Sequence, residues 1–216
     1  MLTTEPLVVS NDTDVLLDLL PTDLSNELRH TDEDAEDLTL RLSDIVLDKG
    51  RPACAWVDGE RINLGADGRA VTIEEIEDVT SALGGFGSDN RAGLEQQLHR
   101  ISGMKNRYGD VIGLTMRVGR HVSGNADMIS DLLFGDDRSI LFLGEPGSGK
   151  TTIVREATRL LASETNVCVV DTSNEIAGDG DVPHPCIGLA RRMSEYTSDL
   201  HICLAHVSPG GAFMIG

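Results

Sequence analysis

The stretch that most limits what this chain can fold into is Ser139-Ile-Leu-Phe-Leu-Gly-Glu-Pro-Gly-Ser-Gly-Lys-Thr-Thr152. Ile140 to Leu143 is a short apolar run with a β-branched start, which predicts a buried strand. Gly144 to Thr151 fits G-x-x-x-x-G-K-[ST]. Ile153, Val154, Ala157, Leu160 and Leu161 then recur at helical spacing. Gly144, Gly147 and Gly149 lack a Cβ, so the loop can curl and turn successive N–H groups inward. Those donors and the positive end of the next helix suit β- and γ-phosphate oxygens. Lys150 brings a point charge to the same oxygens, and the Thr151 hydroxyl is placed to ligate Mg²⁺. Glu145, Pro146, Ser148 and Thr152 complete the expected nucleotide-binding stretch. The plainer alternative is a Gly-rich turn with a surface lysine.

A phosphate-binding loop narrows the partners but not the class of protein, and charge narrows it further. The chain has 216 residues, enough for one full domain or two small ones, and a formal net charge of −18. Whole-chain electrostatics therefore oppose binding to nucleic-acid backbones and anionic membranes. The densest basic set is Arg100, Lys105, Arg107, Arg117 and Arg120. No apolar run approaches the roughly 18 residues of a transmembrane helix. Aromatic residues make up 3%, so a core must rest on Leu, Ile and Val. Cys54, Cys168, Cys186 and Cys203 share no C-x-x-C spacing, so they read as reduced thiols rather than a zinc site. The amino terminus, Met1-Leu-Thr-Thr-Glu-Pro6, reads as neither a signal nor a transit peptide.

In chain order, residues 1–12 read as a loose end. Helical spacing over Asp14–Leu20 and Leu24–Leu28 is split by Pro21, and Thr31 to Asp37 is an acidic run. Leu38, Leu42, Ile45 and Val46 predict an amphipathic helix ending at Gly50. Ala53–Val57 and Arg61–Leu64 flank Asp58-Gly59-Glu60, a hairpin signal, with Trp56 expected in core or rim packing. Thr72 and Glu75 form a capping box for a helix through Leu83, stopped by Gly84-Gly85. Val111 to Val118 alternates as a half-buried strand, with Leu98–Lys105 as its hairpin partner. Ala126 to Phe134 predicts a helix with Met128, Ile129, Leu132 and Leu133 on one face. Val167 to Val170 is a second buried strand.

Asp171 closes that strand, and the chain continues Thr-Ser-Asn-Glu-Ile-Ala-Gly-Asp-Gly-Asp181-Val-Pro-His-Pro185. A loop at the carboxyl end of a strand in an open α/β sheet is where ligands bind. Glu175 is the candidate to polarise an attacking water, and Asp171 to steer Mg²⁺ through water. A solvated acidic loop explains the same residues equally well. His184 is expected to be structural or exposed. Arg191 and Arg192 either touch a phosphate of a neighbouring subunit or lie on a helix surface. No Asn-Lys-x-Asp guanine reader is present, which argues against a GTPase.

Three stretches resemble one known family: Asp89-Asn-Arg-Ala-Gly-Leu-Glu-Gln-Gln-Leu-His-Arg-Ile-Ser102, Ile112-Gly-Leu-Thr-Met-Arg-Val-Gly-Arg120 and Asp171–Pro185. The resemblance is to plastid and cyanobacterial P-loop ATPases of the stage III sporulation AA-like type, which include the plant seedling plastid development protein. These are distant kin of the hexameric secretion ATPases. The likeness spans about residues 13–193 and is most specific from Asp89 to Met193. It implies an α/β chain, with a RecA-like P-loop NTPase core, incomplete at its carboxyl end, after a small α+β amino-terminal domain. The divisions it implies are a disordered 1–12, the α+β domain over 13–121, a partial core over 122–193 and a divergent tail over 194–216. The family's phosphate-loop pair carries over to Lys150 and Thr151, and its acidic box to Asp171 and Glu175.

The resemblance also implies ATP and Mg²⁺ as cofactors, a homo-oligomer (hexameric in full-length relatives) and a chloroplast location, while the net charge and the lack of a long apolar run argue against a membrane or direct nucleic-acid partner. After Met193 the match stops before the family's Walker B strand. A strand within Leu200–Val207 would arrive early, with His206 where an acid is expected. The family's sheet order is 5-1-4-3-2, so the phosphate-loop strand and Val167–Val170 are not neighbours. The gap between them is expected to leave open edges. These features predict a truncated product. Two functions follow: a P-loop ATPase, or a non-catalytic module that binds nucleotide weakly or joins full-length hexamers.

Overall fold

The computed structural model describes residues 8–9, 12–29, 38–135, 139–145, 147–194, 203–207 and 213–215. The acidic run Thr31–Asp37, Pro146 and much of the tail beyond Ser194 lie outside them. Before the phosphate loop the elements are β1 (Val8–Val9), α1 (Thr13–Leu17), α2 (Thr22–Arg29), α3 (Leu38–Arg41), β2 (Leu42–Asp48), β3 (Cys54–Val57), β4 (Glu60–Asn63), α4 (Ile73–Ala82), β5 (Arg91–Gly93), β6 (Arg100–Lys105), β7 (Val111–Arg117), β8 (Val122–Ser123), α5 (Ser130–Gly135) and β9 (Ile140–Leu141). After it come α6 (Lys150–Glu164), β10 (Val167–Asp171), β11 (Arg191–Met193), β12 (Cys203–Val207) and β13 (Phe213–Ile215). They form two compact units, one of Asn11–Leu94 with Leu98–Arg120, the other of Met1–Ser10, Glu95–Gln97 and His121–Gly216.

The first unit is a six-stranded antiparallel sheet of order β4-β3-β2-β7-β6-β5, covered by helices. Leu16, Leu17, Leu24, Leu28, Ile45, Leu47, Ile76, Ile101, Leu114 and Met116 are its fully buried interior. Strand β7 buries Leu114 and Met116, as the alternation predicts. The hairpin turns at Asp58 (φ 51°) and Gly59 (φ 81°), the paired left-handed residues of a tight two-residue turn. The capping box is complete: Glu75 N donates to Thr72 Oγ1, and Thr72 N to the Glu75 carboxylate. Trp56 is 39% exposed, at the rim.

The helix expected through residues 38–50 is not formed. Leu38–Arg41 makes one helical turn, and Leu42–Asp48 is the strand β2. The spacing of Leu42, Ile45 and Val46 fits a helix face, but Leu42, Ile45 and Leu47 are what the sheet buries. Pairing on both sides, with β3 and β7, outweighs local helix preference.

The basic set is also dispersed. Arg120 donates to the Thr39 and Leu42 carbonyls at 2.7 and 2.6 Å, and Arg117 pairs with Asp44. His99 is buried; its Nδ1 accepts from Gly119 N and its Nε2 donates to Asp12 O, both at 3.1 Å. Gly119 passes so close to Leu98 that a Cβ there would stand 1.9 Å from the Leu98 carbonyl oxygen.

The second unit is α/β and contains a strand, a Gly-rich loop and then a helix. Its five-stranded sheet runs β11-β10-β12-β13-β9. Strand β10 is parallel to β11 and antiparallel to β12, and β13 is parallel to β9. The phosphate-loop strand β9 and β10 are thus non-neighbours. The open gap expected between them is filled by β12 and β13, drawn from the tail. Val8–Val9, inside the expected loose end, pairs with Val122–Ser123.

Residues 126–134 do not form one helix face. A 3₁₀ turn over Asp127–Ile129 precedes α5. Its three residues per turn break the 3.6-residue register, so Met128, Leu132 and Phe134 are exposed while Ala126 and Leu133 are buried.

Candidate nucleotide site

The Gly-rich loop joins β9 to α6; the buried strand expected over Ile140–Leu143 is formed only at Ile140–Leu141, and Leu141 and Leu143 are exposed because this strand lies at the sheet's edge. Gly147 (φ 79°) and Gly149 (φ 87°) take left-handed conformations that other residues rarely adopt, and Gly149 is the N-cap of α6. Ser148 N donates to Glu145 O at 3.2 Å, and Ile153 N to Gly149 O at 3.0 Å, where the helix begins. A Cβ at Gly144 would lie 2.5 Å from Ser148 Oγ, so the loop is wound tightly there.

Helix α6 has no side-chain cap and no acidic residue in its first turn. Its first N–H groups and dipole therefore suit an anion. Lys150 Nζ donates to the carbonyls of Gly144 and Glu145, both at 2.8 Å. Gly144, Glu145, Gly147, Ser148, Gly149, Lys150, Thr151 and Thr152 thus share one loop and helix start; Pro146 lies outside the described residues.

The acidic loop after β10 is tightly organised rather than merely solvated. Asp171 is fully buried, and its Oδ1 accepts from Glu175 N at 2.9 Å. Its Oδ2 accepts from Ile176 N and Ala177 N, both at 3.0 Å. The carboxylate expected to steer a metal is thus engaged in folding the loop. Asn174 (φ 55°) carries the left-handed bend, and its side chain bonds to Asp179. The Glu175 side chain is exposed.

His184 is buried and structural: its Nδ1 accepts from Cys186 N at 3.0 Å, capping the 3₁₀ turn Pro185–Ile187. Arg192 lies on β11 rather than on a helix, and its guanidinium binds the carbonyls of Gly178 and Gly180. Arg191 is exposed on the same strand.

Sequence reasoning missed Arg155. It lies five residues after Lys150 in α6, about 7.5 Å further along the axis at 1.5 Å per residue. Arg155 is buried; its Nε donates to Ile176 O at 2.6 Å and its Nη2 to Glu175 O at 2.7 Å. Burial lowers its pKa from the ordinary value, against the opposing pull of Cys186, Asp171 and Glu175. Burial pushes the Cys186 thiol up to about 12, leaving it an inert neighbour.

Next to Arg155, Glu156 is fully buried and accepts from Arg159 Nε and Nη2 at 2.7 Å and from Gly124 N at 2.8 Å. Burial alone would raise its pKa; those donors, Arg159 first, hold it below the ordinary value. The available signal was the position of Arg155 and Glu156 beside Val154 and Ala157 on the apolar face of α6.

Among the described residues no cluster of three or more His, Cys, Asp or Glu could hold a metal ion. Mg²⁺ in nucleotide sites usually has one or two protein ligands, with water and phosphates completing its shell. A single Thr151 hydroxyl fits that donor set. Among the described residues no helix is long and apolar enough to cross a membrane.

Compared with family models, the chain matches none. It is 45% identical over 197 residues to the ycf45 protein of Porphyra purpurea, covering 90% of this chain and 33% of that one. It is 46% identical over 200 residues to the protein SEEDLING PLASTID DEVELOPMENT 1 of Arabidopsis thaliana, covering 88% of this chain and 27% of that one. The chain therefore spans about a third or less of the length of these two relatives. Among solved structures, the pilus retraction motor PilT with bound ADP aligns at TM-score 0.49 and 16% identity, covering 73% of this chain and 50% of that one. The ATPase DotB of Legionella pneumophila aligns at TM-score 0.46 and 18% identity, covering 72% and 48%.

Proposed function

We propose that this chain grips Mg-ATP at Gly144–Thr152 and belongs to a P-loop ATPase of the RecA-like, secretion-ATPase type. The observation that carries this is the G-x-x-x-x-G-K-T motif set between β9 and α6, with Gly147 and Gly149 left-handed at the helix start. A lysine in the first turn of a helix opposes the macrodipole by about 0.3–1 kcal/mol. An anion bound there would reverse that effect.

In this reading a nucleotide draws Lys150 Nζ from the Gly144 and Glu145 carbonyls to the β- and γ-phosphates. Thr151 would hold Mg²⁺, which supplies charge neutralisation at the phosphates. The exposed carboxylate of Glu175 would polarise the attacking water. The finer kinship with stage III sporulation AA-like ATPases, a ring of like subunits, and a chloroplast site of action are parts of the same proposal. The plastid location is supported by the name of the Arabidopsis relative.

A second reading, nucleotide binding without turnover, is favoured by one observation. The Asp171 carboxylate already accepts from three loop amides. Binding of a fluorescent ATP analogue, with phosphate release measured alongside, separates the readings. Binding lost in Lys150→Ala and turnover lost in Glu175→Gln are the expected results. Binding without turnover in the parent would favour the second reading, and binding unchanged in Lys150→Ala would remove both.

A further inference from the structure

Glu175 is held with more care than a solvated loop residue needs. Its N–H donates to Asp171 Oδ1, and its carbonyl accepts from Arg155 Nη2. The next residue is held in the same way, Ile176 N on Asp171 Oδ2 and Ile176 O on Arg155 Nε. Two successive peptide units are therefore gripped on both sides, while the Glu175 side chain is left exposed.

The two grips come from different elements. Asp171 ends strand β10, but Arg155 projects from the same helix whose first turn contains Lys150 and Thr151. Burying a guanidinium is costly, and two carbonyls that close together are matched by its planar fork. A neutral side chain could satisfy one of them without that cost. What the guanidinium adds is a rigid tie from the phosphate-loop helix to the main chain of Glu175.

We infer that Arg155 is the positioning residue for Glu175, transmitting occupancy of the phosphate loop along α6 to the acidic loop. This rests on the nucleotide reading above. When a triphosphate takes Lys150 Nζ from its two carbonyls, the start of α6 is re-seated. Through Arg155, which bonds both carbonyls from α6, that shift reaches Glu175 and Ile176.

Hydrogen exchange of the full chain, with and without saturating Mg-ATP, tests this. The peptides followed cover residues 144–152 and 172–178, in the parent, Arg155→Lys and Lys150→Ala. In the parent, nucleotide slows exchange in both peptides. In Arg155→Lys, whose ammonium cannot fork onto two carbonyls, the phosphate-loop response persists and the acidic-loop response drops by about tenfold. An acidic-loop response equal in Arg155→Lys and parent overturns the inference. So does a parent whose phosphate loop responds while its acidic loop does not, a comparison that stands even should the variant not fold. If neither parent peptide responds, or Lys150→Ala responds like the parent, it is the nucleotide reading that fails.

Discussion

The two units bury different things. The sheet unit hides Leu, Ile and Met, with Thr13, Ser25, Thr39 and His99 as its buried polar residues. The second unit buries apolar residues too, Val154, Leu161, Val169 and Ile187 among them, but with them Arg155, Glu156, Asp171, His121 and His184; each unit exposes some large apolar residues, Leu40 and Met104 in the first, Leu143 and Leu189 in the second. Apolar burial stabilises without direction, at about 25 cal/mol per Å². Buried charge is weak evidence for stability, because desolvation offsets much of the attraction. Its use is geometric: Arg155 and Asp171 fix main-chain positions, and Glu156 fixes Gly124 and Arg159. The sheet unit is built to be stable, and the loop unit to place groups.

One of the largest expected effects breaks the sheet unit. Gly119→Ala drives a Cβ into the Leu98 carbonyl, so stability should fall by about 3 kcal/mol or more, the top of the overpacking range. Denaturant melts followed by Trp56 fluorescence check this; an unchanged midpoint would contradict the close approach.

Asp171→Ala should cost the loop unit about 3–5 kcal/mol by leaving three loop amides unsatisfied and removing a carboxylate charge that attracts buried Arg155. Leu114→Ala in the sheet unit should cost about 2–5 kcal/mol by cavity formation. The contrast sharpens when Asp171→Asn is added. An amide oxygen keeps some of the bonds, so loop geometry should recover further than charge does, read as exchange rates of residues 175–177.

Acid should separate the units. Burial lowers the His121 pKa below 6.5, against the attraction of Glu156 and with Arg155, His184 and Arg159 lowering it further. A group whose folded pKa is depressed contributes stability that is present above its unfolded pKa and lost as pH falls through the folded one. The loop unit should therefore begin to weaken below about pH 6.5 through His121, and again below about 4.5 through Glu156. In the sheet unit the Glu74 carboxyl is held low by its own backbone N–H and the Thr72 side chain, and the Asp23 carboxyl by its hydrogen bond to Arg69, so loss there begins only below about 4.5. Amide exchange against pH should show the loop unit opening first; the reverse order would break the comparison. The smallest effect is Thr72→Ala, which removes the α4 cap for about 0.5–2 kcal/mol, seen as a lower melting temperature.

Local chemistry was legible in the sequence and pairing was not. The Gly-rich turn between β9 and α6, the Thr72–Glu75 cap, the Asp58-Gly59 turn and the alternation of β7 follow from residues a few positions apart. Strand β2 was hidden because Leu42, Ile45 and Val46 also fit a helix face, and only its two partner strands decide the matter. The seating of β12 and β13 between β10 and β9 depends on contacts distant in sequence. At the site, Glu175 and Asp171 were readable as acids at a strand end, but not that Asp171 folds the loop. Arg155 was passed over because a helical arginine is normally solvated, and its carbonyl partners lie 20 and 21 residues away.

Titration calorimetry of the folded chain with Mg-ATP, beside Lys150→Ala, tests the central claim most directly. The account predicts saturable heat in the parent and its loss in the variant. No heat in a demonstrably folded parent, or equal heat in both, would contradict it.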